Sequence, residues 1–174
     1  SSDLINPNIP LKLYYWDGHP KATSYPITIL MYFAHMASTT KDKFVRDFYI
    51  NLMKVSIRNG GDINKNILGM NALLWATAPC NSRKITNSET AKFILQNGYS
   101  DFSFKPRGAD SLMSAQDNCY WMDDNQLSAK LDVVKTLLSY NVSGSSGFDF
   151  DEFKKKCIED HEKFKEKNHS SSLE

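Results

Sequence analysis

Three cysteines, Cys80, Cys119 and Cys157, and four histidines carry the most reactive side chains in this sequence. Nucleophilic catalysis needs a thiol beside an imidazole that takes its proton, and no local signature sets one against the other. Cys80 falls in a polar stretch and Cys119 precedes Tyr120-Trp121, so either thiol can face solvent, where it is reactive only if its pKa is depressed. The plainer reading of a free cysteine is a small, inert hydrophobe. Metal binding asks for ligands in close pairs, Cys-x-x-Cys or His-x-x-x-His, and here they occur singly. His161-Glu162 has no second histidine one turn on, and Asp123-Asp124-Asn125 lacks the glycine and closing glutamate of a calcium loop. That acidic cluster reads instead as the end of a polar loop before a helix at Leu127. Gly60-Gly61 follows a helical pattern rather than preceding one, so it makes no phosphate cradle. The expectation is a non-enzymatic chain with no catalytic residue, metal or cofactor. The alternative is a cysteine-dependent enzyme, or a regulatory domain of one.

The elements that would position these residues show internal repetition. Three segments, Leu52–Gly60, Thr90–Gly98 and Val133–Asn141, each have the pattern of an amphipathic helix closed by Gly or Asn. A helix commonly stops with one residue at positive φ, which Gly adopts freely and Asn tolerates. The spacing predicts helix ends at Gly60, Gly98 and Asn141, 38 and 43 residues apart, within the range of stacked helical units. Between them, Gly69-Met70-Asn71-Ala72-Leu73-Leu74-Trp75-Ala76 aligns with Gly108-Ala109-Asp110-Ser111-Leu112-Met113-Ser114-Ala115. Asn71 and Asp110 suit helix N-caps, and Leu73 with Ala76, like Leu112 with Ala115, gives an i, i+3 apolar pair. Each unit therefore reads as turn, short helix, loop, longer helix. Insertions at residues 38–43, 79–84 and 119–126 fall between paired helices. In a solenoid such loops project from one side, either as binding decoration or as neutral drift.

This pattern resembles the ankyrin repeat, whose second helix closes on Gly-Ala-Asp-x-Asn; Gly60-Gly61-Asp62-Ile63-Asn64 is the nearest match. The likeness spans about residues 25–142 and is most specific from Asp62 to Gly98. Asn71-Ala72-Leu73-Leu74 and Asp110-Ser111-Leu112-Met113 lack the Pro and His of the family's short-helix signature. The divergence and insertions are also similar to those of ankyrin effectors that intracellular pathogens deliver into host cells. The resemblance implies an all-α helical-repeat solenoid with short β-hairpin connections, about three degenerate repeats, and a cap at each end. It implies binding of a partner protein along a concave face built from hairpin tips and short helices. Carried onto this chain, the tips are Lys65, Asn66 and Ile67 in one connection and Ser103, Phe104, Lys105 and Arg107 in the next. Phe102 and Phe104, two apart in an extended finger, point the same way and with Arg107 have a hot-spot composition. Trp75 on the short helix, and Tyr120 with Trp121 at the largest insertion, complete the candidate surface; core packing is the competing reading for all three.

Residues 3–24 are expected to form an N-terminal capping segment. Leu11-Lys12-Leu13-Tyr14-Tyr15-Trp16-Asp17-Gly18 pairs alternating apolar residues with an Asp-Gly turn, and its aromatics either close the open side of the first repeat or bind. Residues 143–147 read as a flexible linker and residues 148–169 as an amphipathic helix. In that helix Phe150, Phe153, Cys157, His161 and Phe164 form one stripe, leaving Lys154, Lys155, Glu159, Glu162 and Lys165 for water. It either caps the last repeat or recruits a separate partner.

With 174 residues, 41% hydrophobic and 24% charged, one domain with a continuous core is expected. A formal charge of +1 supplies no broad field for a phosphate backbone or an anionic membrane, so nucleic acid is not an expected partner. The longest apolar run, near Ile27 to Ala37, is too short to span a bilayer, and no signal pattern opens the chain. Three widely spaced cysteines suggest free thiols in a reducing compartment. The expected setting is the cytoplasm, or a host cytoplasm for a delivered effector, with the chain monomeric by itself. Sequons at Asn141 and Asn168 would matter only in a secreted chain. Ser1-Ser2 and the closing Ser-Ser-Ser-Leu-Glu read as cloning remnants or frayed ends. A generic helical bundle with an accidental repeat match is the remaining alternative.

Overall fold

The computed structural model describes residues 6–15, 23–77, 85–101, 122–142 and 145–171. Among these, the chain is mostly helical, with six helices and one two-stranded sheet. Strands β1 (Leu11–Tyr15) and β2 (Thr23–Ile27) pair antiparallel, Leu11 opposite Ile27 and Leu13 opposite Tyr25. A hairpin is what the alternating apolar residues of the first strand demand; the Asp17-Gly18 segment lies outside the described residues.

Helix α1 (Ile29–Thr39) starts where the Thr28 hydroxyl accepts the Met31 amide at 3.2 Å. Helix α2 (Lys43–Arg58) starts where the Asp42 carboxylate accepts the amides of Phe44, at 2.8 Å, and Val45, at 3.2 Å. Each cap satisfies donors that the first helical turn leaves unpaired. Helix α3 (Ala72–Thr77) is capped by Asn71, whose side-chain oxygen accepts the Leu74 amide at 2.9 Å, the role its position in the sequence suggests. Helix α4 (Glu89–Gln96) follows Asn87, which accepts from the Thr90 amide and hydroxyl. Helix α5 (Asp124–Ser139) opens with a reciprocal capping box between Asp123 and Gln126. Helix α6 (Phe150–Ser171) is the longest.

The three long-helix ends behave alike. After α2, α4 and α5 come one cap residue and then Gly60 (φ +89), Gly98 (φ +101) and Asn141 (φ +51). Two of these ends close with the same pair of hydrogen bonds. Gly60 N–H donates to Ile57 O and Gly61 N–H to Ser56 O; Asn141 N–H donates to Leu138 O and Val142 N–H to Leu137 O. This double closure returns partners to carbonyls that the last turn would otherwise orphan.

Helix α1 packs against both α2 and α3, α3 packs on α4, and α4 touches α5. One core runs through all five: Leu30, Met31, Met53, Leu73, Trp75, Ile94, Val133 and Leu137 are buried within it, and Ile57, Leu95 and Leu138 belong to the same cluster. The carbonyls at the end of α1 are received by the segment before α4: Thr86 N–H donates to Ser38 O at 2.9 Å, Thr86 Oγ1–H to Thr40 O, and the Asn87 side-chain amide to Ala37 O at 2.7 Å. Buried polar groups are thus satisfied across the boundary between helix pairs, which fixes their relative placement.

A second polar device occurs twice. The Asn8 side chain donates to Gly60 O at 2.9 Å and accepts the Asp62 amide at 2.7 Å. The Asn64 side chain donates to Gly98 O at 3.0 Å and accepts the Ser100 amide at 2.9 Å. Gly60 and Asp62 follow α2 as Gly98 and Ser100 follow α4, so one clasp geometry is used at two consecutive helix ends.

Helix α6 lies against α5. Its stripe is oriented as the spacing predicts, with Cys157 and His161 buried, Phe150, Phe153 and Phe164 half-buried and Lys154, Lys155, Glu159 and Glu162 exposed, but Lys165, expected to face water, is half-buried and paired with Asp124. Cys157, Phe153, Leu127 and Leu131 form a small satellite cluster at the contact. The segment entering α6 is a hydrogen-bonded turn at residues 145–148, with Ser145 N–H donating to Val142 O and Phe148 N–H to Ser145 O.

Candidate functional site

Between α2 and α3 the chain forms a tight hairpin. Ile67 and Met70 exchange both backbone hydrogen bonds, at 2.9 and 3.0 Å, and the two central residues, Leu68 (φ +49) and Gly69 (φ +80), both have positive φ. Positive φ at both positions is the mark of a type I′ turn, which matches the twist of paired strands. The tip therefore sits at Leu68-Gly69, just beyond the Lys65-Asn66-Ile67 expected from the resemblance. Lys65 is half-buried on the approach, and the Asn66 side chain accepts the Gly69 amide at 3.0 Å, bracing the turn.

Leu68 is the unexpected residue of this site. It is 74% exposed and holds a left-handed conformation that costs an L-residue roughly 1–2 kcal/mol. A leucine kept in that geometry with its side chain in water carries a backbone cost that no burial of its side chain offsets. Leu68→Asn would convert the tip to Asn-Gly, the preferred type I′ pair. Chemical denaturation of this variant should show a gain of about 0.5–1 kcal/mol.

Trp75 requires a correction. Its expected place on an exposed side of the short helix is excluded, because it is 1% exposed. All six residues of α3 are buried, so this helix offers no open face to a partner. The indole packs edge-on against the His35 ring, with centroids 5.3 Å apart and planes at 72°. The candidates Phe102, Phe104, Lys105, Arg107, Tyr120 and Trp121 lie outside the described residues, as do Ser103, Cys80 and Cys119.

The expectation of a free thiol is also corrected, at Cys157. Cys157 is disulfide-bonded, so it is no nucleophile, and the argument for a reducing compartment loses its basis. Four residues along α6, the His161 imidazole meets the Asp124 carboxylate at 2.8 Å, and Lys165 reaches the same oxygen at 2.7 Å. The Lys165 ammonium, and after it His161, holds the Asp124 carboxyl below the usual carboxylate range. Because the folded-state pKa is the depressed one, this contact stabilises the docked helix above the ordinary carboxylate range and fades as pH falls through it. Asp124→Asn should lower the Tm at neutral pH by about a degree or two. The gap from wild type should close as the pH falls below the ordinary carboxylate range, as followed by circular dichroism.

A polar pocket of about 260 Å³ lies where α2, α4 and α5 begin, lined by Lys41, Arg46, Asn87, Glu89, Asn125 and Asp132 among others. Its two cations are matched by two anions, Arg46 stands 3.8 Å from Glu89, and Lys41 is bound to Asp123 at 2.7 Å. It has no surplus charge with which to hold an ion. Among the described residues, no group of three His, Cys, Asp or Glu side chains could hold a metal, and no helix is long and apolar enough to cross a membrane.

No protein-family model matches the sequence, and no curated protein or solved structure matches it.

Proposed function

We propose that this chain is an ankyrin-like helical-repeat solenoid that holds a partner protein, without catalysis, through its hairpin connections. The observation that carries the repeat reading is the duplicated asparagine clasp. An accidental bundle has no reason to join Asn8 to the end of α2 and Asn64 to the end of α4 with the same donor and acceptor atoms. The shared positive-φ closures at Gly60, Gly98 and Asn141 and the single core through α1 to α5 support it further.

The binding reading rests on the tip. A repeat array buries its helices and presents its connections, so partner-facing residues belong on the hairpins. Leu68, exposed and strained, is the anchor in this reading, with Lys65 beside it. The resemblance implies Phe102, Phe104, Lys105 and Arg107 on the following connection. The experiment is photocrosslinking from a reactive amino acid placed at position 68, compared with one at Lys163 on the exposed side of α6. A protein captured from position 68 and not from position 163 supports the assignment. Equal capture from both positions contradicts it.

A further inference from the structure

The outward side of α2 is apolar where a solenoid end is normally polar. Phe44 (81% exposed), Phe48 (51%) and Val55 (50%) form a stripe with the half-buried Leu52. Beside its C-terminal half lies an apolar groove of about 510 Å³, walled by Leu52 and Val55 on one side, Pro7, Ile9 and Leu11 on the other, with Phe33 among its lining. The protruding end and the hollow end of this face are about 16 Å apart along one rigid helix, so Phe44 cannot fill the groove of its own chain.

We infer that this face pairs with a second copy of the chain, α2 against α2 in antiparallel register, forming a two-fold symmetric dimer. Antiparallel pairing sets Phe44 of each chain beside Val55 of the other, at the mouth of the groove, and Phe48 beside Leu52. Each large aromatic ring then meets a smaller aliphatic side chain, the alternation of sizes that lets surfaces interdigitate. The same register brings Asp47, which already pairs with Lys43, opposite Lys54 of the other copy, and Lys54 is exposed. A two-fold axis makes every contact twice and closes the assembly at two chains. The groove exposes almost no polar groups, so an extended peptide laid in it would leave backbone donors and acceptors unmatched, whereas a helix satisfies its own.

Sedimentation velocity and light scattering from about 1 μM to about 500 μM test this. The expected mass rises from the chain's 19.8 kDa toward twice that value. Phe44→Asp, at a side chain that lies in solvent, should leave the circular dichroism spectrum unchanged and weaken dimerisation on the order of 100-fold or more, since each substitution removes two symmetric anchors. Asp47→Lys and Lys54→Asp should each weaken it, and the two together in one chain should restore it. A single 19.8 kDa species at every concentration would overturn the self-pairing. So would a dimer indifferent to Phe44→Asp, and a charge reversal that fails to restore association would overturn the antiparallel register.

Discussion

Trp75→Ala should cost about 3–5 kcal/mol of folding stability, which in a domain of this size is a large fraction of the whole. The indole is among the largest fully buried side chains and sits in the core cluster that α1, α3 and α4 share. Truncation removes the transfer energy of the ring, opens a cavity, and abolishes the edge-on contact with His35. Trp75→Phe, which keeps an aromatic ring in the site, should cost roughly 1–2 kcal/mol. Urea unfolding followed by far-ultraviolet circular dichroism measures both. A variant of unchanged stability that loses only partner capture would restore Trp75 to the surface role its sequence position suggested.

Reduction should produce the second large effect. Breaking the Cys157 disulfide releases a constraint on the unfolded chain and should lower stability by about 2–4 kcal/mol. The loss should concentrate on α6. That helix meets α5 through the small cluster of Leu127, Leu131, Phe153 and Cys157 and through Asp124, and its Phe150 and Phe153 also pack against the main core. Thermal melts with and without reductant, beside Cys157→Ser, give the measurement: the reductant should have no further effect on the serine variant. Equal melting with and without reductant in the wild type would remove the disulfide from the account. A bond of this kind persists in oxidising surroundings, so the same result bears on where the chain works.

Much of the fold was legible because its signals are local. Gly60, Gly98 and Asn141 mark helix ends by a conformational need that no distant residue can relieve. Asn71 caps α3 for the same kind of reason, and the stripe from Phe150 to Phe164 places α6 correctly because an exposed helix keeps a one-sided pattern. Helix α3 defeated this logic. Six residues buried on every side have no polar face to set a period against, so the spacing of Leu73 and Ala76 could not say whether Trp75 pointed inward. The other omissions are long-range. Asn8 and Asn64 look like ordinary polar loop residues until the helix ends they clasp, 52 to 54 and 34 to 36 positions away, come beside them. Cysteine count alone did not reveal a disulfide at Cys157. Leu68 escaped notice because nothing in a leucine codon's neighbours announces positive φ, although the Gly69 beside it was a turn signal that would have placed the hairpin tip.

Amide hydrogen exchange at Asp62 and Ser100 tests the stacked-unit arrangement most directly. Both residues are exposed, and each amide has the side-chain oxygen of a clasping asparagine as its acceptor. Both should exchange on the order of 10-fold or more slowly than free amides, with Asn8→Ala releasing Asp62 alone and Asn64→Ala releasing Ser100 alone. Free exchange at both amides in the wild-type chain would contradict the shared clasp, and with it the claim that successive helix pairs are joined in the same way.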